Sequence, residues 1–189
     1  LMFIPVEVNN YIFHLRHSSG THIMDEDWDN LLILDACRYD MFASEVDFDG
    51  TLESRISLGS SSEEFLERNF DSRTCHDTVY VNANPYVPHL NLDDGTFHAV
   101  IDCLSRWDQE LETVHPETVA EAAREAHESF EDKRLIAHFM QPHYPFVPAD
   151  TTADKEHLQQ IDGNGDSPSD ENIWNQMFHG DLELSRDEL

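Results

Sequence analysis

Lysine is nearly missing from this chain: Lys133 and Lys155 are the only two in 189 residues. With 39 acidic side chains against 11 Lys and Arg and a formal net charge of -28, the basic footprint that a phosphate backbone demands is missing, which argues against nucleic acid as a partner. Cysteine is scarce as well. Cys37, Cys75 and Cys103 are odd in number and form no CxxC pair, so neither a disulfide framework nor a structural zinc site is indicated, and a reducing, cytoplasmic interior fits. No apolar run approaches the length of a membrane span, and the first residues lack the basic-then-apolar layout of a secretory signal. Internal repeats are missing too.

What is present is enough apolar material, 39% of the residues, to fill the core of one domain. The acids are interspersed among periodic blocks of Trp, Phe, Ile and Leu instead of being gathered in a tail, so the chain is expected to fold. An acidic, lysine-poor surface suits a protein adapted to molar salt, where its self-repulsion is screened. Most of the acids are then solvated surface, and any acid nominated for chemistry must be distinguished from that background.

Strand-like and helix-like blocks alternate. The string "LLILD" reads as a strand buried on both faces, "EEFLERNF" as a helix, "DTVYVNAN" as a strand, "PETVAEAAREAHESFEDK" as a long helix opened by Pro116, and "RLIAHFM" as another buried strand. This order predicts an α/β fold with a mainly parallel sheet flanked by helices, in one domain over residues 1–189. Residues 149–169, acidic and rich in turn formers, are expected to be an exposed loop within it. There Asp162, Asn164 and Asp166 imitate the start of a calcium loop, but Ser167 stands where the loop needs Gly, and Ile173 where it needs a bidentate Glu. At the end, Ser185 and Glu188 have the spacing of a capping box with one residue left to follow. The expectation is a fragment of something longer, with the sheet incomplete at the C-terminus. The final "RDEL" looks like a retrieval signal, a coincidence given the lack of a secretory signal.

Three residues fall where an α/β sheet gathers its chemistry, at strand carboxyl ends and helix starts. Asp35 ends the first apolar run, where it can hold a metal, polarise a substrate or simply cap the helix that "ACRYDMFAS" begins. Ser60 precedes a helix with Glu63 three residues on, the spacing of an N-cap; the same place suits a hydroxyl attacking a phosphate or sulfate ester, because helix starts offer unpaired N–H groups and a positive dipole end. His143 follows "RLIAHFM" in a proline-rich loop, where an imidazole can contact an anion, donate a proton or bind metal.

These segments resemble the sulfatase-like branch of the alkaline phosphatase superfamily, especially the sulfatase-like proteins of halophilic archaea. "NLLILDACRYDMF" looks like the family's opening strand, "GSSSEEFLERNF" like its nucleophile segment, "VYVNANPY" like a following strand and "HFMQPHYPF" like its histidine loop. Lipoteichoic acid synthases show a similar order. The resemblance implies an alkaline-phosphatase-like sheet and a divalent cation (Mn, Mg, Ca or Zn) bound by Asp35 and Ser60. It makes Ser60 the nucleophile with Ser62 as its rival, and Arg38 and His143 the contacts to substrate. Phosphate or sulfate esters, of a surface glycan or lipid, would be the substrates. The chain departs from the family in three ways. Ala36 replaces a second aspartate, no Cys-x-Pro-x-Arg supplies a formylglycine, and the Asp-His-Gly metal motif does not occur.

The function expected on this basis is the N-terminal part of a metal-dependent hydrolase or transferase working through a serine nucleophile. The alternative is an inactive remnant or anion-binding module lacking half of the metal site. With that half missing, the chain alone is expected to turn over little substrate.

The charge balance carries its own test. The surplus of acids predicts a fold that needs molar KCl or NaCl and loosens at low ionic strength, as self-repulsion loses its screening. Circular dichroism across a salt titration should show the folded signal growing with salt; equal or greater stability in dilute buffer would contradict a halophilic origin.

Overall fold

Of the strings read as strands, "DTVYVNAN" and "RLIAHFM" form the middle of a sheet. In a computed structural model, which describes residues 20–143, β2 (Cys75–Asn82) lies parallel to β4 (Arg134–Phe139), with Tyr80 opposite Ile136 and Val81 opposite Ala137. β1 (Asn30–Leu34) pairs outside β4 and β3 (Phe97–Asp102) outside β2, both in parallel, giving the order β1-β4-β2-β3. Among the described residues four α-helices accompany them: α1 (Tyr39–Glu45), α2 (Ser62–Phe70), the single turn α3 (Tyr86–His89) and α4 (Pro116–Ser129). This is the α/β architecture expected, a parallel sheet flanked by helices. By contacts the chain divides into a unit Leu1–Val147 and a unit Pro148–Leu189; the described fold belongs to the first. The acidic stretch 149–169, its calcium-like motif and the Ser185/Glu188 box lie outside the described residues.

Alternation along the central strands builds two cores. Val79 and Val81 of β2, with Leu135 and Ala137 of β4, point to α4 and meet Val119, Ala122 and Ala126, three positions spaced to share one helical face. Tyr80 and Ile136 point the other way, to Leu66 and Phe70 of α2 and to Phe97. Phe70, Tyr80 and Phe97 pack with ring centroids 4.7–5.9 Å apart, a spacing that adds quadrupole attraction to area burial. Pro116 opens α4 as expected, its missing N–H costing nothing at that position.

β1 corrects one expectation. It is an edge strand buried on one face only: Leu31 and Ile33 pack on the α2 side, while Leu32 and Leu34 are 63% and 37% exposed. The reason is position. α4 spans β4 and β2, and among the described residues nothing covers the outer strand on that side. Arg134 secures the entry to β1, stacking its guanidinium 3.7 Å from the Trp28 ring centre and donating to the carbonyls of Trp28 and Glu26.

The approach to α2 depends on Gly59. A Cβ there would lie 2.2 Å from the Phe65 backbone nitrogen and 2.6 Å from its Cα, so the chain passes against the first turn of the helix at a distance only glycine allows. Because the obstruction is backbone, Gly59→Ala must displace the start of α2. A loss of about 1–3 kcal/mol, the usual cost of overpacking, is expected as a lowered urea midpoint in molar salt; an unchanged midpoint would contradict this packing.

Candidate active site

Parallel pairing brings every strand's carboxyl end to one edge of the sheet, and Asp35 stands there directly after β1. Its backbone N–H extends the ladder to the Phe139 carbonyl at 3.1 Å. The chain then turns, with Cys37 N–H donating to the Leu34 carbonyl at 3.2 Å and Ala36 at φ 60°. A positive φ at the third position of such a turn favours glycine. Holding alanine there costs about 1–2 kcal/mol, a strain of the kind that persists where surrounding structure fixes a functional backbone. Asp35 caps no helix. α1 starts at Tyr39 with Arg38 in the cap position, and the Asp35 carboxylate goes elsewhere.

It goes to α2. Ser62 Oγ donates to Asp35 Oδ2 at 2.7 Å, a short charge-assisted bond across 27 residues of chain. The capping of α2 is shifted by one from the expected Ser60/Glu63 pair: Ser61 is the cap, accepting from Glu64 N–H at 3.3 Å. Glu64 reaches back to the Ser60 backbone N–H at 2.8 Å and to Ser60 Oγ at 2.9 Å. The segment "SSSEE" satisfies the capping spacing in either register. The register adopted makes Ser62 the first helical residue and aims its hydroxyl at Asp35.

Two further groups close around the same carboxylate. Asn84, fully buried just beyond β2, donates Nδ2–H to Asp35 Oδ2 at 3.0 Å. Its own amide is fixed by turn bonds, Asn84 N–H to Asn82 Oδ1 and Tyr86 N–H to Asn84 Oδ1, both 2.9 Å. His138 on β4 sets Nε2 3.9 Å from Asp35 Oδ2, and its Nδ1 lies 2.7 Å from the buried Tyr80 hydroxyl. Burial pushes the Tyr80 pKa up and the His138 pKa down, so both are neutral near pH 7.

The remaining nominated residues lie apart from this cluster or at its margin. Ser60 is engaged by Glu64 through both its N–H and its hydroxyl. Arg38 forms a two-pronged pair with Asp40, at 3.0 and 3.1 Å, on the open surface. His143 lies on the loop after β4 at the same sheet edge as Asp35, its backbone N–H bonded to the Met140 carbonyl. Gln141 anchors that loop through the Thr113 hydroxyl and the Val114 carbonyl, at 3.2 and 3.1 Å. Asn84, His138 and Tyr80 were not singled out from sequence. The available signal was polarity inside apolar strings: "RLIAHF" and "VYVNAN" carry groups that a core admits only with partners.

The donor set can be held against the divalent cation the resemblance implies. Near Asp35 the oxygens on offer are its own carboxylate and Ser62 Oγ, whereas Asn84 turns its Nδ2–H to the site and its oxygen to the Tyr86 N–H. Among the described residues no group of three His, Cys, Asp or Glu side chains converges, while hard divalent cations take about six or more oxygen ligands. The described residues therefore do not fit a complete cation site.

Comparison of the chain with family models, curated proteins and solved structures found no match. Its functional reading rests on the geometry and on the motifs themselves. Among the described residues no helix is long and apolar enough to cross a membrane.

Proposed function

We propose that the chain carries the reacting serine of a hydrolase or transferase acting on phosphate or sulfate esters, built on an alkaline-phosphatase-like sheet, with Ser62 as nucleophile and Asp35 as acceptor of its proton. The observation that carries the reading is the 2.7 Å bond from Ser62 Oγ to Asp35 Oδ2 at the first residue of α2. A serine hydroxyl is a weak nucleophile until a base takes its proton. Asp35 is in place for that, and the helix start offers N–H donors and a positive dipole end to the anion.

In the step this implies, Ser62 Oγ bonds to the phosphorus or sulfur while the bond to the ester oxygen breaks. The serine proton passes to Asp35 and on to the departing alcohol. Water or a second alcohol then attacks the seryl ester, giving its proton to Asp35 as Oγ departs and is reprotonated. His143, on the same edge, is the group best placed in sequence to meet the substrate anion. The first turn of α2 also holds Glu63 and Glu64, but Glu64 is neutralised by Arg68 at 2.6 Å, which lessens the repulsion an incoming anion meets. The three unpaired thiols are consistent with a reducing, cytoplasmic setting.

A fluorophosphonate probe tests the nucleophile directly in molar salt. Mass spectrometry should find the adduct on Ser62, and Asp35→Asn should slow labelling about a hundredfold or more, the contribution of a lost general base. Ser62→Ala should abolish both labelling and any release of nitrophenolate from nitrophenyl phosphate, while Ser60→Ala leaves them unchanged. An adduct on Ser60, or none at all, would contradict the assignment. Phosphate binding without labelling would match a non-catalytic anion-binding module.

A further inference from the structure

Beside Asp35, on the face of the sheet that α2 covers, stand two buried polar side chains for which the proposed reaction has no use. Tyr80 and His138 are 0% and 1% exposed, and they lie on neighbouring strands. His138 is opposite Asn82 in the register, so Tyr80, two residues before Asn82 on the same face, is its diagonal neighbour. The rings meet edge-on with centroids 6.1 Å apart and the hydroxyl on Nδ1. A core position between Leu66, Phe70 and Ile136 would be filled at lower cost by Phe and Leu, so the polar pair needs an account.

The hydrogen-bond pattern gives one. The phenol is protonated and must donate, and the acceptor 2.7 Å away is His138 Nδ1. A neutral imidazole accepting at Nδ1 carries its proton on Nε2. Nε2 is the atom directed at Asp35 Oδ2, 3.9 Å away. The opposite tautomer would face two lone pairs toward each other in a water-poor site and leave the phenol proton without an acceptor. We propose that Tyr80 and His138 form a positioning pair, in which the Tyr80 hydroxyl locks His138 in the Nε2–H tautomer and the outward N–H dipole holds the Asp35 carboxylate where it receives Ser62. The pair touches neither substrate nor nucleophile; it acts through Asp35. The distance exceeds a direct hydrogen bond, so the action is that of an oriented dipole in a low-dielectric pocket. Together with Ser62 and Asn84 it turns three polar groups toward Oδ2, and Oδ1 has no hydrogen-bond partner among the described residues.

This inference rests on the reading of Asp35 and Ser62 as the reacting pair, yet its first test does not need activity. Imidazole nitrogen-15 shifts of the uniformly labelled wild-type chain in molar salt should show His138 protonated at Nε2 and bare at Nδ1. Tyr80→Phe should mix the two tautomers. Asp35→Asn should move the Hε2 resonance, which a purely structural histidine would not register. An Nδ1-protonated ring, or an Hε2 signal indifferent to Asp35→Asn, overturns the positioning pair whatever the activity.

The second test is the rate of fluorophosphonate labelling. His138→Asn keeps an acceptor for Tyr80 but lacks the outward N–H, and should lower the rate roughly tenfold, in the range seen when an orienting partner is lost. His138→Gln, which can restore a donor near the Nε2 position, should recover most of it. If Ser62→Ala leaves labelling intact, the catalytic reading fails; if labelling needs Ser62 but His138→Asn labels at the wild-type rate, only the positioning pair fails.

Discussion

The site depends on a single oxygen. Asp35 Oδ2 receives the Ser62 hydroxyl from α2 and the Asn84 amide from the end of β2, and it faces His138 of β4, so three elements far apart in sequence are referenced to one carboxylate at the end of β1. A carboxylate so placed is costly to desolvate unless its lone pairs are satisfied, and at Oδ2 charge-assisted bonds supply what water would have. The same requirement gives α2 its place. The helix must present Ser62 at the sheet edge, which fixes its cap at Ser61 and brings Gly59 against Phe65.

Parts of this arrangement were legible in the sequence and parts were not, for physical reasons. The doubly buried strands β2 and β4 and the long helix α4 announce themselves through apolar runs and a proline start, signals that local chemistry sets. β1 carries an equally apolar string, but whether a strand lies at the centre or the edge of a sheet is decided by its neighbours, so its open face at Leu32 and Leu34 was invisible. β3 escaped notice because its continuous apolar run is only Ala99, Val100 and Ile101, closed off by His98 and Asp102. Asp35 was legible as a carboxylate at a strand's carboxyl end. Which serine meets Asp35 was not legible, because three serines before two glutamates allow two capping registers, and packing across the Gly59 and Asp35 contacts turns Ser62 to the carboxylate.

Charge sets the remaining constraint. Under the proposed function, an anionic ester approaching a chain of net charge -28 meets a repulsive field in dilute buffer that molar salt collapses to within a few ångströms, since the Debye length at 1 M is about 3 Å. The site need supply only short-range attraction, and its local features suit that: a helix start, an Arg68 that neutralises Glu64, and a histidine on the adjoining loop. The buried groups around Asp35 are neutral partners, so the carboxylate keeps its charge for the serine instead of spending it in an ion pair.

The claim that Ser62 and Asp35 act as one unit is tested most directly by a double-mutant cycle, with Ser62→Ala, Asp35→Ala and the pair compared by urea unfolding in molar salt. A coupling of about 1.5–3 kcal/mol, the range for a hydrogen bond to a charged group, is the predicted result. Additivity within about 0.5 kcal/mol, as for independent sites, would contradict it.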